Sequence, residues 1–205
     1  LKLYADRFEY FHCKNTIYVG LNMTTFFKLM KTITNTDTVC FFIDSANTHE
    51  FCIRIENADK NSNTVFKLKM LDIDEDEIKI PDIEIDSVIT MPSNDFQRIC
   101  RDMVNICDTI EISSTKDYLK LVCDGEFASQ ETIVGETNHG LAFSKKCKLD
   151  NVISGKFSLK YINLFTKSTN LSNTLDIYLK QNFPLMLKYN VANLGEIMFC
   201  LAPKA

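Results

Sequence analysis

Residues Ser93 to Cys107, SNDFQRICRDMVNIC, contain the pattern that decides the fold. Their apolar side chains recur at the three- and four-residue spacing of one helix face: Phe96, Ile99, Cys100 and Met103. Pro92 precedes the segment, and Asp95 lies in the first turn, where a carboxylate suits the helix dipole. Arg98 and Arg101 fall opposite the apolar stripe. The segment therefore predicts an amphipathic helix with a cationic outer face.

The same pattern returns twice elsewhere in the chain. Met23 to Ile33, with Asn22 available as its cap, predicts a helix whose apolar stripe is Met23, Phe26, Phe27 and Met30. Ser158 to Ser168 predicts a shorter helix that packs Tyr161, Ile162 and Phe165. The cationic side chains opposite the three stripes are Lys28, Lys31, Arg98, Arg101, Lys160 and Lys167. Two cationic residues recur on every helix. This recurrence favours one anionic partner that all three helices share over three helix faces that contact only solvent.

The surroundings of each helix repeat as well. A predicted strand precedes each one, at 16–20, 87–91 and 156–158. Two β-rich runs follow each one, at 38–43 with 50–55, 109–113 with 118–123, and 174–179 with 184–191. A β-α-β-β unit is thus predicted three times, and such units stack because one alone cannot bury its sheet face.

Composition excludes several classes of protein. Of the 205 residues 45% are hydrophobic and 24% are charged, which is typical of a globular chain, and no apolar run is long enough to span a membrane. The eight cysteines contain no CxxC, and His12, His49 and His139 are scattered, so we predict reduced cysteines and no metal site or cofactor. Phosphate-binding, zinc-protease and hydrolase motifs are missing, so no enzymatic activity is predicted.

The charge is distributed unevenly. Asp72 to Asp86, DIDEDEIKIPDIEID, has eight carboxylates and one lysine, a local charge of −7, whereas the whole chain carries −4 and the remainder is therefore +3. We interpret this stretch as a connector between two domains. Two units follow it, but only one unit and a leading strand pair, 1–10 with 15–20, precede it. We therefore expect residues 1–70 to be the remainder of an N-terminal domain without its first unit, 71–85 the connecting loop and 86–205 the C-terminal domain.

Short motifs resemble one known family in collinear order. Ile99-Cys100-Arg101-Asp102 after Met91-Pro92-Ser93, together with Leu201-Ala202-Pro203-Lys204, is similar to proliferating cell nuclear antigen, the eukaryotic DNA sliding clamp. Further matches are Lys69-Met70-Leu71-Asp72, Ile80-Pro81 and Leu164-Phe165-Thr166-Lys167. The resemblance implies a divergent, viral or protist member with an α+β fold: two similar domains, antiparallel sheets outside and helices lining a ring. It further implies a homotrimer that encircles duplex DNA without reading its sequence, so that the six cationic residues above would line the channel.

The resemblance also implies surfaces for partners. A pocket for a short peptide motif of DNA polymerase, clamp loader, nuclease or ligase would comprise Ile78, Ile80, Pro81, Pro184, Ala202 and Pro203. Lys79 stands where the family usually has glycine, and Cys200 where it has an aromatic residue. Head-to-tail closure would pair strand 64–70 with strand 129–135, through Phe66, Lys67, Leu68, Glu131, Thr132, Ile133 and Val134. Lys116 matches a lysine that the family modifies with ubiquitin or its relatives.

Two other functions remain open from the sequence. A checkpoint-type clamp subunit of a hetero-trimer would share this fold. A metal-dependent nuclease could use the carboxylates of residues 72–86 to hold Mg²⁺, although metal sites usually gather carboxylates from several elements. We expect the protein to act in the nucleus, or alternatively at a cytoplasmic viral replication site, without a membrane.

Overall fold

A computed structural model describes residues 1–73, 84–147 and 151–204. It contains three α-helices: α1 Met23–Met30, α2 Ser93–Met103 and α3 Leu159–Phe165. The strands are β1 Lys2–Leu3, β2 Thr38–Asp44, β3 Asn47–Asn57, β4 Ser62–Lys69, β5 Ser87–Pro92, β6 Thr109–Ser114, β7 Tyr118–Asp124, β8 Ser129–Gly135, β9 Ala142–Lys145, β10 Ile153–Ser158, β11 Thr174–Leu179, β12 Leu185–Val191 and β13 Gly195–Leu201. The chain forms two compact units, residues 12–80 and residues 1–11 with 81–205.

The unit of residues 12–80 is an antiparallel sheet of three strands in the order β2-β3-β4, with α1 preceding it in the chain. Ile53 of the central strand pairs with Phe41 on one side and Phe66 on the other. The buried apolar side chains in this unit are Cys52, Ile53 and Leu68. Both β2 and β4 are sheet edges.

Helix α1 begins where the sequence predicts, because the Asn22 side chain accepts a hydrogen bond of 2.9 Å from the Thr25 N–H. Its predicted stripe is only partly covered. Phe26 is half-buried, with its ring centroid 6.3 Å from that of Phe41, whereas Met23 and Phe27 are 65% and 58% exposed. One narrow sheet offers this helix too little apolar surface to bury the whole stripe.

The predicted strand at 16–20 is wrong. Only Gly20 forms a bridge, with Leu71, and Ile17 and Tyr18 remain exposed. The leading strand pair is wrong for the same reason, since only Lys2–Leu3 is a strand and Ala5–Arg7 forms a 3₁₀ helix. Alternating apolar residues indicate a strand only where a neighbouring strand can pair with them.

The second unit contains two antiparallel sheets, of six strands in the order β1-β13-β12-β11-β5-β9 and of four in the order β10-β6-β7-β8. Apolar side chains from both sheets and from two helices form one core, which includes Ile89, Phe96, Ile112, Ile162 and Leu187. At least three strands follow each helix rather than the predicted two: β2–β4 follow α1, β6–β9 follow α2 before β10 leads into α3, and β11–β13 follow α3. β4, β8 and β13 are the third strands, and within the described residues a strand leads directly into α2 and α3 but not into α1, so the element that repeats three times is α-β-β-β.

The predicted helix at 93–107 is confirmed as α2, and its whole apolar stripe is buried: Phe96, Ile99, Cys100 and Met103. The third helix is shorter than predicted. It ends at Phe165, whose ring stacks on Phe199 at 4.5 Å, and residues 166–171 continue as a 3₁₀ helix. Ile162 is buried but Tyr161 is 50% exposed, so the prediction that Tyr161 packs is wrong.

The predicted domain boundaries stay a prediction. Residues 1–11 form one unit with the residues after 81 because β1 pairs with β13, Lys2 opposite Glu196 and Leu3 opposite Gly195. A Cβ at Gly195 would collide with the Lys2 carbonyl oxygen, so this approach requires glycine. The predicted connector, 71–85, lies mostly outside the described residues.

We expect Ile162→Ala to lower the free energy of unfolding by about 2 to 5 kcal/mol, because it removes a fully buried side chain from the shared core. Tyr161→Ala, on the same helix but half exposed, should cost far less. Urea denaturation of both variants measures the difference. Equal losses would mean that α3 buries the other face.

Candidate nucleic-acid interface and partner surfaces

Helix α2 presents Arg98 and Arg101 to solvent, on the face opposite its buried stripe. The Arg98 guanidinium lies 3.3 Å from a carboxylate oxygen of Asp95, one helical turn earlier. Within the described part of the chain, no carboxylate lies within 4 Å of the Arg101 guanidinium. Asp95 and Asp102 give the helix two negative charges, so its net charge is zero despite the arginines.

The cations of the third repeat lie on two elements rather than one. Lys160 is exposed on α3, while Lys167 is exposed on the following 3₁₀ helix, so the predicted return to one face of a single helix is wrong. The Gln97 side chain donates a hydrogen bond of 2.7 Å to the Thr166 carbonyl and joins α2 to the 3₁₀ helix. The cationic residues of this unit therefore lie on neighbouring elements. No carboxylate within residues 159–171 offsets the two lysines.

The cations of the first repeat lie in the other unit. Lys28 is exposed in the last turn of α1, and Lys31 caps its C-terminus, where a positive charge suits the helix dipole. The Lys31 Nζ lies 4.7 Å from the centre of the Phe27 ring, close enough for a cation–π contact. Every predicted cationic residue is thus exposed.

The two strands predicted for subunit contact are both sheet edges. β4 is the outer strand of its three-stranded sheet, and β8 is the outer strand of its four-stranded sheet. The interface residues fall on them as predicted by position: Phe66, Lys67 and Leu68 on β4; Glu131, Thr132, Ile133 and Val134 on β8. Leu68 is buried within its own unit, whereas Ile133 is 55% exposed.

The charges on these edges differ in sign. Lys67 and Lys69 are exposed on β4, and the Lys67 Nζ lies 3.8 Å from Glu50. Glu131 on β8 forms an ion pair with Lys120 of β7, in which the Lys120 Nζ donates a hydrogen bond of 2.7 Å to the carboxylate. This hydrogen bond raises the pKa of Lys120. One edge is therefore basic, and the other carries a carboxylate.

A hollow of about 240 Å³ lies beside Phe66 on β4. Its lining is Thr32, Thr34, Asp37, Ile55, Asn57, Lys60, Ser62, Thr64 and Phe66. The Asn57 amide donates a 2.6 Å hydrogen bond to Asp37, and the Thr34 N–H donates one of 2.8 Å. These two bonds hold the pKa of Asp37 below its usual value. The hollow is thus lined mostly by polar side chains, with a fixed carboxylate and only two apolar residues, Ile55 and Phe66.

A groove of about 280 Å³ lies beside the C-terminal segment of the second unit. It is lined by Ser154, Gly155, Lys156, Asn182, Phe183, Pro203 and Lys204. The Lys204 N–H donates a hydrogen bond of 2.7 Å to the Lys156 carbonyl, and its Nζ donates one of 2.7 Å to the Thr109 hydroxyl. The chain end is therefore fixed against β10.

Only part of the predicted peptide pocket meets this groove. Pro203 lines it, whereas Pro184 and Ala202 lie next to lining residues along the chain. Ile78, Ile80 and Pro81 lie outside the described residues. The sequence did not single out the lining residues Phe183 and Lys156, although Phe183 directly precedes Pro184.

Comparison with known proteins decides the family. The model of the proliferating cell nuclear antigen N-terminal domain matches residues 1–77, and that of the C-terminal domain matches residues 79–204. The chain belongs to the proliferating cell nuclear antigen family. A relative named probable DNA polymerase sliding clamp 1, from Paramecium bursaria Chlorella virus 1, is 40% identical over 210 residues, which cover 99% of this chain and 78% of that protein. The function of the chain is that of a DNA sliding clamp, and its fold is the two-domain α+β fold of the family.

The remaining predicted residue of this clamp, Lys116, is exposed in the turn between β6 and β7. The Thr115 hydroxyl fixes the turn by accepting hydrogen bonds from the N–H groups of Asp117 and Tyr118, at 3.2 and 3.1 Å. The lysine is therefore accessible on a rigid support.

The described ranges of the clamp contain no group of three or more potential metal ligands, and most of the carboxylate run 72–86 lies outside them. The clamp family consists of processivity factors rather than enzymes. Among the helices that the structure describes, none is both long and apolar enough to cross a bilayer.

Proposed function

We propose that this clamp closes head to tail as a homotrimer around duplex DNA and tethers DNA polymerase to it. The observation that carries the proposal is that predicted cationic side chains are exposed on each of the three helices and, just after α1 and α3, at Lys31 and Lys167. A ring that slides cannot read base edges, so it needs phosphate-directed charge on rigid elements. Helices α2 and α3, whose apolar side chains enter the core of the second unit, meet that need.

The proposed channel residues contribute unequally. Lys160 and Lys167 have no carboxylate on their own elements, whereas Asp95 and Asp102 offset the two arginines of α2. We assign Lys28, Lys31, Arg101, Lys160 and Lys167 as the principal phosphate contacts, and Arg98 as a weaker one because Asp95 competes for its guanidinium at 3.3 Å.

Subunit closure is proposed through β4 of one protomer and β8 of the next. Two unpaired strand edges invite aggregation unless each receives a partner strand, and pairing them satisfies both. Lys67 and Lys69 on the first edge complement Glu131 on the second. Ile133, which is exposed on β8, would pack against Phe66 at the edge of the hollow.

Partner proteins are proposed to bind at the groove beside Pro203 and at the adjoining pocket that includes Pro184 and Ala202. Grooves of this kind combine apolar anchors with a few polar groups, and Phe183 and Lys156 supply both here. DNA polymerase, clamp loader, nuclease and ligase would share the site through one short peptide motif.

We propose Lys116 as a modification site, and the nucleus, or a cytoplasmic viral replication site, as the place of action.

For the channel, Lys160→Glu should weaken the hold of the loaded clamp on DNA more than Arg98→Glu, because Lys160 has no competing carboxylate. Each lost phosphate contact should lower the slope of log K against log salt by about 0.9 in a static complex, and by less in a sliding one. Retention of loaded clamps on circular DNA over a salt series measures both quantities. Lys116→Glu, at an exposed turn away from the helices, is the control, and an equal loss there would refute the channel assignment.

For closure, Phe66→Ala in the full-length protein should shift the solution mass from that of three chains toward one, since it removes an apolar side chain from the proposed seam. Val65 directly precedes Phe66 on the same strand, and its side chain faces the other way. Val65→Ala should therefore leave the trimer intact. Sedimentation velocity at micromolar concentration measures the mass. A wild-type monomer, or a trimer that forms only with a second protein, would contradict the homotrimer.

For the partner groove, Phe183→Ala should weaken binding of a peptide from the polymerase by at least about 1 kcal/mol, roughly fivefold in Kd, because truncating a buried interface anchor commonly costs that much. Phe127→Ala is the matched control, because that side chain is 92% exposed and lies elsewhere on the chain. Titration calorimetry measures both affinities. Unchanged binding in Phe183→Ala would place the peptide outside the groove.

A further inference from the structure

Two cysteines of the second unit meet at the end of α2, although they are sixteen positions apart in the sequence. Cys107 follows the helix, and its N–H donates a hydrogen bond of 3.2 Å to the Met103 carbonyl. The Cys123 thiol, on β7, approaches the same carbonyl at 3.9 Å. One oxygen atom therefore lies beside the backbone of the first cysteine and the sulfur of the second.

Backbone packing holds the two segments together. Gly125, two residues beyond Cys123 on the chain, lies directly against the Ile106 carbonyl, and a Cβ at that position would collide with it. The Cys107 thiol donates a hydrogen bond of 2.8 Å to the carbonyl of Thr109, which lies on β6, the strand that pairs with β7. The packing of the end of α2 against β7 therefore brings the two cysteines together.

The two thiols differ in their surroundings. Cys123 is buried in the core, while Cys107 is half-buried and reachable by a small oxidant. Burial raises the pKa of Cys123, and the adjacent Cys107 thiol raises it further. Cys107 is therefore the cysteine that reacts first, because an oxidant can reach its half-buried side chain before the buried Cys123.

We propose that Cys107 and Cys123 are a reversible modification site at which hydrogen peroxide produces an intramolecular disulfide. The Cys107 thiolate attacks one peroxide oxygen, the O–O bond breaks, and the departing hydroxide takes up the thiol proton to give water and a sulfenic acid. The Cys123 sulfur then attacks the Cys107 sulfur, the S–O bond breaks, and hydroxide leaves with the second thiol proton as water. Two thiols are oxidised and one peroxide is reduced.

The disulfide would tie the end of α2 to β7, which pairs with β8. It would therefore connect a helix that presents cations to solvent with the strand beside an open sheet edge. The inference concerns the two thiols alone and does not depend on the proposed channel or trimer.

The test treats the reduced full-length protein with hydrogen peroxide, alkylates the remaining thiols after denaturation and maps the peptides by mass spectrometry without reduction. We expect the Cys107 and Cys123 peptides to leave the alkylated pool together, as one cross-linked species that dithiothreitol separates. A Cys107 that stays alkylated, advances to sulfinic acid while Cys123 stays reduced, or links to another molecule would overturn the proposal.

Two variants complete the test. In Cys107→Ser, Cys123 should remain fully alkylated after peroxide treatment, since the first reacting thiol is gone. Cys40→Ser removes an exposed cysteine outside the pair and should leave the cross-link yield unchanged. A cross-link that disappears in Cys40→Ser, or oxidation of Cys123 that persists in Cys107→Ser, would also overturn the assignment. The wild-type map tests the pair even if a variant folds poorly.

Discussion

Burial of one helix face against antiparallel strands is the interaction on which the second unit depends. Phe96 and Met103 of α2 enter the same core as Ile162 of α3, between side chains of both sheets. A helix so anchored has one face left for solvent, and cationic residues occupy it because they cannot be buried unpaired. The apolar stripe therefore positions the charges as much as it stabilises the fold.

Strand edges impose the second constraint. Repetition of the α-β-β-β element leaves two of its third strands, β4 and β8, at the edge of a sheet, whereas the last, β13, pairs with β1. A long edge with free N–H and C=O groups is costly to leave open, so a chain built from such units is suited to assembly through its edges. The lysines of β4 and the glutamate of β8 favour pairing between unlike edges over pairing between like ones.

The sequence predicts best where local pattern and tertiary packing agree. Helix α2 and the strands that follow it match their expected positions because each apolar residue finds a neighbouring layer. Prediction fails where that layer is narrow, as at Phe27, or where no strand lies alongside, as at Tyr18. The groove residues Lys156 and Phe183, and the cysteines Cys107 and Cys123 that share the Met103 carbonyl, come from distant segments. No local spacing in the sequence indicates that such segments meet.

The balance of charge on the helices bears on how a clamp can hold DNA and still move along it. On α2 two carboxylates offset two arginines, while α1 and the segment after α3 keep their lysines unopposed. Attraction to phosphate rises with each uncompensated cation and falls with salt. In the proposed channel, partial neutralisation of α2, the helix with the most buried side chains, would weaken the attraction locally without changing the rigid scaffold that carries the charges. A surface of this kind attracts the backbone without fixing one register, which is the physical condition for sliding.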